Sequence, residues 1–162
     1  MIAGAHVILS YEFDPLSYLR MISRARVNIA SLVPSLLTAL LEPRRVPDLG
    51  GLSYFVSAAA ALSQRTASLV HERWGKRVIQ GYGLTETTNF TTLLPPDLSD
   101  AAYRSWMIDR PIPSIGPEVF GNEVAVLGED GRRLEAGEIG EVCVRGHNVM
   151  LGYLGNPEAT GA

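Results

Sequence analysis

The sequence contains a single cysteine, Cys143, in 162 residues. This excludes an internal disulfide and any zinc site built from several thiolates. Cys143 stands between Val142 and Val144 in a run that reads as a strand, so its thiol reads as a packing group. Long apolar runs are also missing: none reaches the ~20 residues that a helical bilayer crossing requires. The N-terminus has no basic stretch leading into an apolar one, and a cytoplasmic location is the default. Charge of one sign is not in excess either, with 14 Lys+Arg, 17 Asp+Glu and a net charge of -3. That balance provides no basic footprint for nucleic acid and no cationic cluster for a membrane surface. The three histidines, His6, His71 and His147, have no second ligand at metal spacing and read as structural or solvent-facing. There is no internal repeat and no low-complexity tract.

What is present is an ordinary globular composition, 46% hydrophobic and 19% charged, in a chain long enough to bury a core. Residues 5–9 and 27–33 are short apolar runs that read as buried strands. Between them, Asp14-Pro15 is an N-cap followed by proline at the first helical position. Leu16, Leu19 and Ile22 recur at a spacing of three along one side of that helix. Ser35 is the expected cap of a second helix running to Leu41, followed by a surface loop over residues 43–51. Residues 52–56 resume a strand, and 57–62 form a loop of small residues. Ser63 then caps a helix over 64–74 with Ala67, Val70 and Trp74 inward. Residues 76–80 make the next strand, and 90–94 are an expected further strand.

Strands alternating with helices at these lengths imply an α/β fold with a largely parallel sheet covered by helices. Residues 97–113 carry mixed charge and no assigned element. From Ile115 onward the pattern is β, with strands at 123–127 and 141–145 and a Gly128-Glu129-Asp130-Gly131 turn. The expected division is an α/β unit over residues 1–113 and the start of a β-rich, barrel-like unit over 114–162.

The most informative stretch is Gln80-Gly81-Tyr82-Gly83-Leu84-Thr85-Glu86-Thr87-Thr88, which lies where a buried strand emerges. Ligands of open α/β sheets bind beyond the carboxyl ends of the strands. The glycines remove Cβ atoms, Tyr82 offers a flat face, Thr85 a hydroxyl and Glu86 an oxygen ligand for a hard cation. These types suit a nucleotide held through its base, its phosphates and a metal. Gly81-Tyr82-Gly83-Leu84-Thr85-Glu86 resembles the GYGxTE motif of the adenylate-forming (AMP-dependent synthetase/ligase) superfamily, which includes acyl-CoA synthetases. Ser57-Ala58-Ala59-Ala60-Ala61-Leu62 resembles its SGAAPL-type loop. Gly137-Glu138-Ile139-Gly140-Glu141, Gly146 and Gly152-Tyr153-Leu154 resemble its downstream GExGE…G…GYL motif, so the resemblance covers essentially the whole chain.

The resemblance implies part of the large N-terminal domain of an enzyme that activates a carboxylic acid with ATP. The acid attacks the α-phosphate to give an acyl-adenylate and pyrophosphate, and a thiol then displaces AMP. The thiol would be coenzyme A or the phosphopantetheine of a carrier protein. Thr85 and Glu86 would be catalytic, with Glu86 holding Mg²⁺. Ala59, Ala60, Ala61, Gln80, Gly81, Tyr82, Gly83 and Thr85 would bind ATP or AMP. Ser31, Ser57, Ala59 and Gly83 would line the acyl pocket.

The sequence departs from the family pattern at Ala58, where glycine is usual, at Ala61, where proline is usual, and at Pro113, where glycine is usual before Ser114-Ile115-Gly116. Nothing here matches the family's Ser/Thr/Gly-rich phosphate loop, its ribose-binding Asp or its mobile C-terminal lysine domain. The chain therefore reads as an internal fragment whose partners are the remaining parts of such an enzyme. Two alternatives are a piece of a nonribosomal adenylation domain or carrier-protein ligase, and a non-catalytic binding module derived from the fold. The expected outcome for the 162-residue chain alone is no carboxylate-dependent ATP–pyrophosphate exchange across a broad acid panel. Reproducible exchange by the purified chain would contradict it.

Overall fold

The structure is a computed structural model that describes residues 4–161. Helix α1 (Pro15–Arg24) begins where the Asp14-Pro15 pair places it, with the Asp14 carboxylate accepting the Ser17 N–H at 2.7 Å. This satisfies one of the donors left free at a helix start. Leu19 and Ile22 are buried and Leu16 half-buried. Strand β1 (Ile29–Ser31) is shorter than the apolar run suggests. Helix α2 (Pro34–Ala39) has Pro34 at its first position and Val33 at its N-cap, so Ser35 lies inside the helix and does not cap it. Proline is preorganised for the first helical position and lacks the N–H that a cap would serve.

Strand β2 (Tyr54–Ser57) leads through the small-residue loop into α3 (Gln64–Trp74). The Ser63 hydroxyl accepts the Thr66 N–H at 3.0 Å, and Gly75 ends the helix at φ 62°. Strand β3 (Arg77–Leu84) follows, then a single 3₁₀ turn over Thr85–Thr87 and strand β4 (Asn89–Leu93). The sheet order is β1-β2-β3-β4, with the first three strands parallel and β4 antiparallel to β3. Because β1, β2 and β3 run the same way, the segments after Ser31, Ser57 and Gly81 gather at one end of the sheet.

Residues 5–9 form no strand; Val7, Ile8 and Leu9 are exposed and pair with nothing in the sheet. Apolar β-formers make a strand only where a ladder partner exists, and among the described residues β1 is paired on its β2 side alone. The strand expected to end at Gln80 continues to Leu84, because β4 folds back along it with Gly81 opposite Leu93 and Leu84 opposite Asn89. Within residues 97–113 the chain forms α4 (Asp100–Met107), capped by Ser99 and buried through Tyr103 and Met107. The i, i+4 spacing of those two residues and the Ser99 cap were the available signals.

Strands β5 (Asn122–Leu127) and β6 (Glu141–Gly146) form a separate antiparallel pair in continuous register. The Gly128–Gly131 turn closes through a 2.9 Å backbone bond, but it first returns the chain to β5, where the Leu134 N–H reaches the Val126 carbonyl. Cys143 packs half-buried on β6 opposite Ala125. A short helix, α5 (Pro157–Thr160), ends the described chain. Among the described residues no helix is long and apolar enough to cross a membrane.

One core, centred on Phe55, Leu37, Leu40, Val70, Val78 and Ile79, lies around the four-stranded sheet. Helix α4 closes it at β3. The Tyr103 hydroxyl accepts the Val78 N–H at 2.8 Å, while the Tyr103 ring is fully buried and lies 5.2 Å from the Arg77 guanidinium. The ladder between β3 and β4 begins only at Gly81, so Tyr103 supplies the acceptor for that part of the β3 edge. Tyr103→Phe keeps the ring and orphans a buried amide. The expected loss is about 1–3 kcal/mol, read from urea midpoints at unchanged m-value; an unchanged midpoint would show that the amide finds another acceptor.

Candidate functional site

The residues singled out by sequence converge at the carboxyl ends of the parallel strands. Ser31 ends β1, Ser57 ends β2, Ala59, Ala60 and Ala61 lie in the exposed loop beyond it, and Gln80 to Leu84 complete β3. Ser57 stands directly opposite Gln80 in the β2–β3 register, and Ser31 opposite Val56. The loop after β2 holds two unusual features side by side. Ala59 has φ 70°, a left-handed conformation that a side chain disfavours, whereas Ala58, the position where glycine is usual, does not. The Ser57 hydroxyl is 1% exposed and has no hydrogen-bond partner among the described residues. Strain and an unsatisfied buried polar group cluster preferentially where a ligand completes the structure.

The Gln80 side chain is committed within the protein. It is 4% exposed and bonded to protein at both ends. Oε1 accepts the Leu62 N–H at 3.2 Å, and Nε2 donates to the Pro113 and Ser114 carbonyls at 3.3 and 3.1 Å. The amide ties the loop, the strand and the 113–114 segment together.

The glycines also have a reason different from ligand approach. A Cβ on Gly83 would lie 1.8 Å from the Asn89 carbonyl oxygen, at the bulge where the β3–β4 register shifts. A Cβ on Gly81 would meet the Phe90 ring at 2.8 Å. Both positions are small because β4 lies against them. Gly116 has φ 80° and a Cβ there would meet the Leu93 carbonyl carbon at 2.3 Å, so the segment after Pro113 can lie along β4. It does so through Leu93 N–H to Pro117 and Val119 N–H to Thr91.

Beyond Leu84 the chain turns tightly. Thr87, which carried no expectation, is the residue that shapes the turn: it is buried, and its hydroxyl accepts the Leu84 N–H at 2.9 Å. Thr85 is exposed with its hydroxyl unbonded among the described residues. Tyr82 is half-buried, and its carbonyl accepts the Thr91 hydroxyl at 3.1 Å.

Glu86 lies between the two sheets' segments. Its carbonyl accepts the Met150 N–H at 2.7 Å, and its Oε1 accepts the Tyr153 hydroxyl at 2.7 Å. The neighbouring Thr88 hydroxyl donates to the Asn148 carbonyl at 2.9 Å. The Tyr153 bond, followed by the residue's own backbone N–H, holds the Glu86 carboxyl below the usual carboxylate range. Donating that bond to the Glu86 carboxylate pushes the Tyr153 phenol up. The contact therefore requires an ionised Glu86 and a protonated Tyr153. It is lost as pH falls through the lowered carboxyl value or rises through the raised phenol value.

Sequence reasoning placed Tyr153 in a glycine-rich motif and assigned it no role at the site. Nothing local connects positions separated by 67 residues. Among the described residues no group of three or more His, Cys, Asp and Glu is placed to share an ion. Glu86, with Oε2 uncommitted, fits an ion of the kind that takes one carboxylate and completes its shell with phosphate oxygens and water.

Comparison with known proteins agrees with this geometry. Residues 1–154 match the family described as "AMP-binding enzyme". The chain is 31% identical over 161 residues to a probable 4-coumarate–CoA ligase 1 of Dictyostelium discoideum, covering 97% of this chain and 27% of that protein. It is 35% identical to a feruloyl-CoA synthase of an Amycolatopsis species over 99% of this chain and 31% of that one. The crystal structure of ATP-bound MatB from Rhodopseudomonas palustris superposes with a TM-score of 0.79 at 31% identity, covering 93% of this chain and 28% of that one. The chain thus spans under a third of the length of these relatives. The parallel sheet, the strand-end site and the sequence match lead to one assignment: the chain belongs to the AMP-binding enzyme family.

Proposed function

We propose that this chain is the part of an AMP-forming acid–thiol ligase that holds the adenylate and one face of the acid. The observation that carries the reading is the position of the Glu86 carboxylate, beside an unbonded Thr85 hydroxyl, at the carboxyl end of the parallel strands. A carboxylate oxygen of the substrate attacks the α-phosphorus of ATP, the bond to pyrophosphate breaks, and an acyl-adenylate forms. The thiol of coenzyme A then attacks the acyl carbon and AMP leaves. The CoA-ligase names of the relatives favour an acyl or aryl acid and coenzyme A as acceptor.

In this reading the Tyr82 ring packs on the adenine, and the backbone of Ala59, Ala60 and Ala61 meets its edge. The Thr85 hydroxyl donates to a phosphate oxygen. Glu86 would hold Mg²⁺, which when bound neutralises charge developing on the phosphate oxygens. Ser31, Ser57 and Ala59 border the acid, and the unpartnered Ser57 hydroxyl is available to a polar substituent on it. Gln80, Gly81 and Gly83 act through the backbone shape they impose. The division at residues 113 and 114, with an α/β unit carrying these loops and a β-rich unit after it, is part of the same proposal. So is a cytoplasmic location, where ATP, coenzyme A and the reduced Cys143 coexist.

The test is Glu86→Gln in the natural reading frame that contains this segment. The substitution keeps size and hydrogen-bonding reach but removes the charge. Adenylation is expected to fall by about 10²-fold, the scale of losing one electrostatic group at a transition state. Thioester formation from a supplied acyl-adenylate should fall much less, since pyrophosphate has already left. Unchanged adenylation with normal Mg²⁺ dependence would overturn the assignment of Glu86.

A further inference from the structure

Glu86 is held by a residue of the far, β-rich segment. The Tyr153 hydroxyl donates to Oε1 at 2.7 Å, leaving Oε2 without a protein partner. No Lys, Arg or His forms an ion pair with this carboxylate among the described residues. A glutamate side chain has three rotatable bonds, so one neutral donor decides which way the second oxygen faces. Tyr153 is itself fixed. Its N–H donates to the Thr160 hydroxyl at 2.9 Å, and that hydroxyl donates to the Asn156 carbonyl at 2.8 Å. The Asn156 side chain caps the α5 turn in which Thr160 lies, through the Ala159 N–H at 3.0 Å. Gly152, at φ 153°, has the Thr160 methyl 2.6 Å from where a Cβ would be, so the approach admits no side chain there. On the other side, the Met150 N–H and the Thr88 hydroxyl tie the same two segments together.

We propose that Tyr153 is a positioning residue for the Glu86 carboxylate: its phenol fixes Oε1 so that Oε2 is presented as the oxygen that binds a divalent cation. The inference rests on Glu86 being the metal ligand and adds what orients it. It also joins two distant parts of the chain. The α5 turn and the Gly152 approach position the phenol, the phenol positions the carboxylate, and the β-rich segment thereby contributes to metal affinity without touching the metal. Hydrogen-bonded partners of ligating carboxylates elsewhere affect metal affinity in this way.

The experiment follows the Glu86 side-chain carboxyl carbon by NMR in the natural reading frame that contains this segment, with Mn²⁺ as paramagnetic probe in the presence of ATP. Tyr153→Phe keeps the ring and removes only the donor. The Glu86 carboxyl is expected to titrate at higher pH than in the wild type, nearer the ordinary carboxylate range. Broadening of its signal should require about 10-fold more Mn²⁺. Thr88→Val removes a different bond between the same segments and is expected to leave the Glu86 titration in place.

A Tyr153→Phe chain whose titration and Mn²⁺ requirement both match the wild type overturns the inference. So does a Thr88→Val chain that shifts as much as Tyr153→Phe, since the effect would then be general loosening. If Mn²⁺ fails to broaden Glu86 in the wild type, the metal reading falls and Tyr153's role with it, a result distinct from intact wild-type broadening that is indifferent to Tyr153→Phe.

Discussion

The buried amide of Gln80 is the constraint on which the arrangement depends. A primary amide removed from water must have its donors and acceptor matched, because each unmatched group costs about 1–3 kcal/mol. Gln80 meets that demand with the Leu62 N–H and the Pro113 and Ser114 carbonyls. The three partners lie in segments far apart in sequence. Matching them closes the loop after β2 onto β3 and draws the segment after α4 against the same strand. The strand-end site is thus built around a polar group that faces inward.

A second constraint is steric. Once β4 lies along β3, the space at Gly81 and Gly83 is filled by the Phe90 ring and the Asn89 carbonyl. The glycine–aromatic–glycine pattern is a packing requirement of an antiparallel return. Its consequence for the site is that Tyr82 is held between two residues that cannot carry side chains, while Thr87 closes the turn from inside. Thr85 and Glu86 are left on the outer side of that turn, with the Thr85 hydroxyl and Glu86 Oε2 unbonded among the described residues. The motif therefore serves fold and chemistry at once, which is why its residue types are so restricted.

The strain at Ala59 and the unpartnered Ser57 hydroxyl show the opposite behaviour. Both are locally unfavourable, and both occur in a few residues at the end of β2. Most of this structure satisfies its polar groups, as at Tyr103, Thr87 and Gln80. Strain and an unpartnered polar group two residues apart at a strand end are the features that a bound molecule there would stabilise.

Local chemistry in the sequence determined much of this protein. The Asp14 and Ser63 caps and the inward residues of α1 and α3 are set by neighbours a few residues away, and the alternation of strands with helices implied the parallel order of β1 to β3. Periods of two and 3.6 and short-range capping bonds carry that information. Where the outcome turned on a partner far along the chain, local pattern could not decide it. Residues 5–9 have the composition of a strand and no ladder to join, and β3 extends to Leu84 because β4 returns along it. Gln80 faces protein because Leu62, Pro113 and Ser114 meet there. Tyr153 reaches Glu86 only because the β-rich segment lies back against the turn after β3. Sequence specified which groups could act; the long-range contacts of the folded chain decided which of them face one another, since hydrogen bonds and packing depend on distance in space.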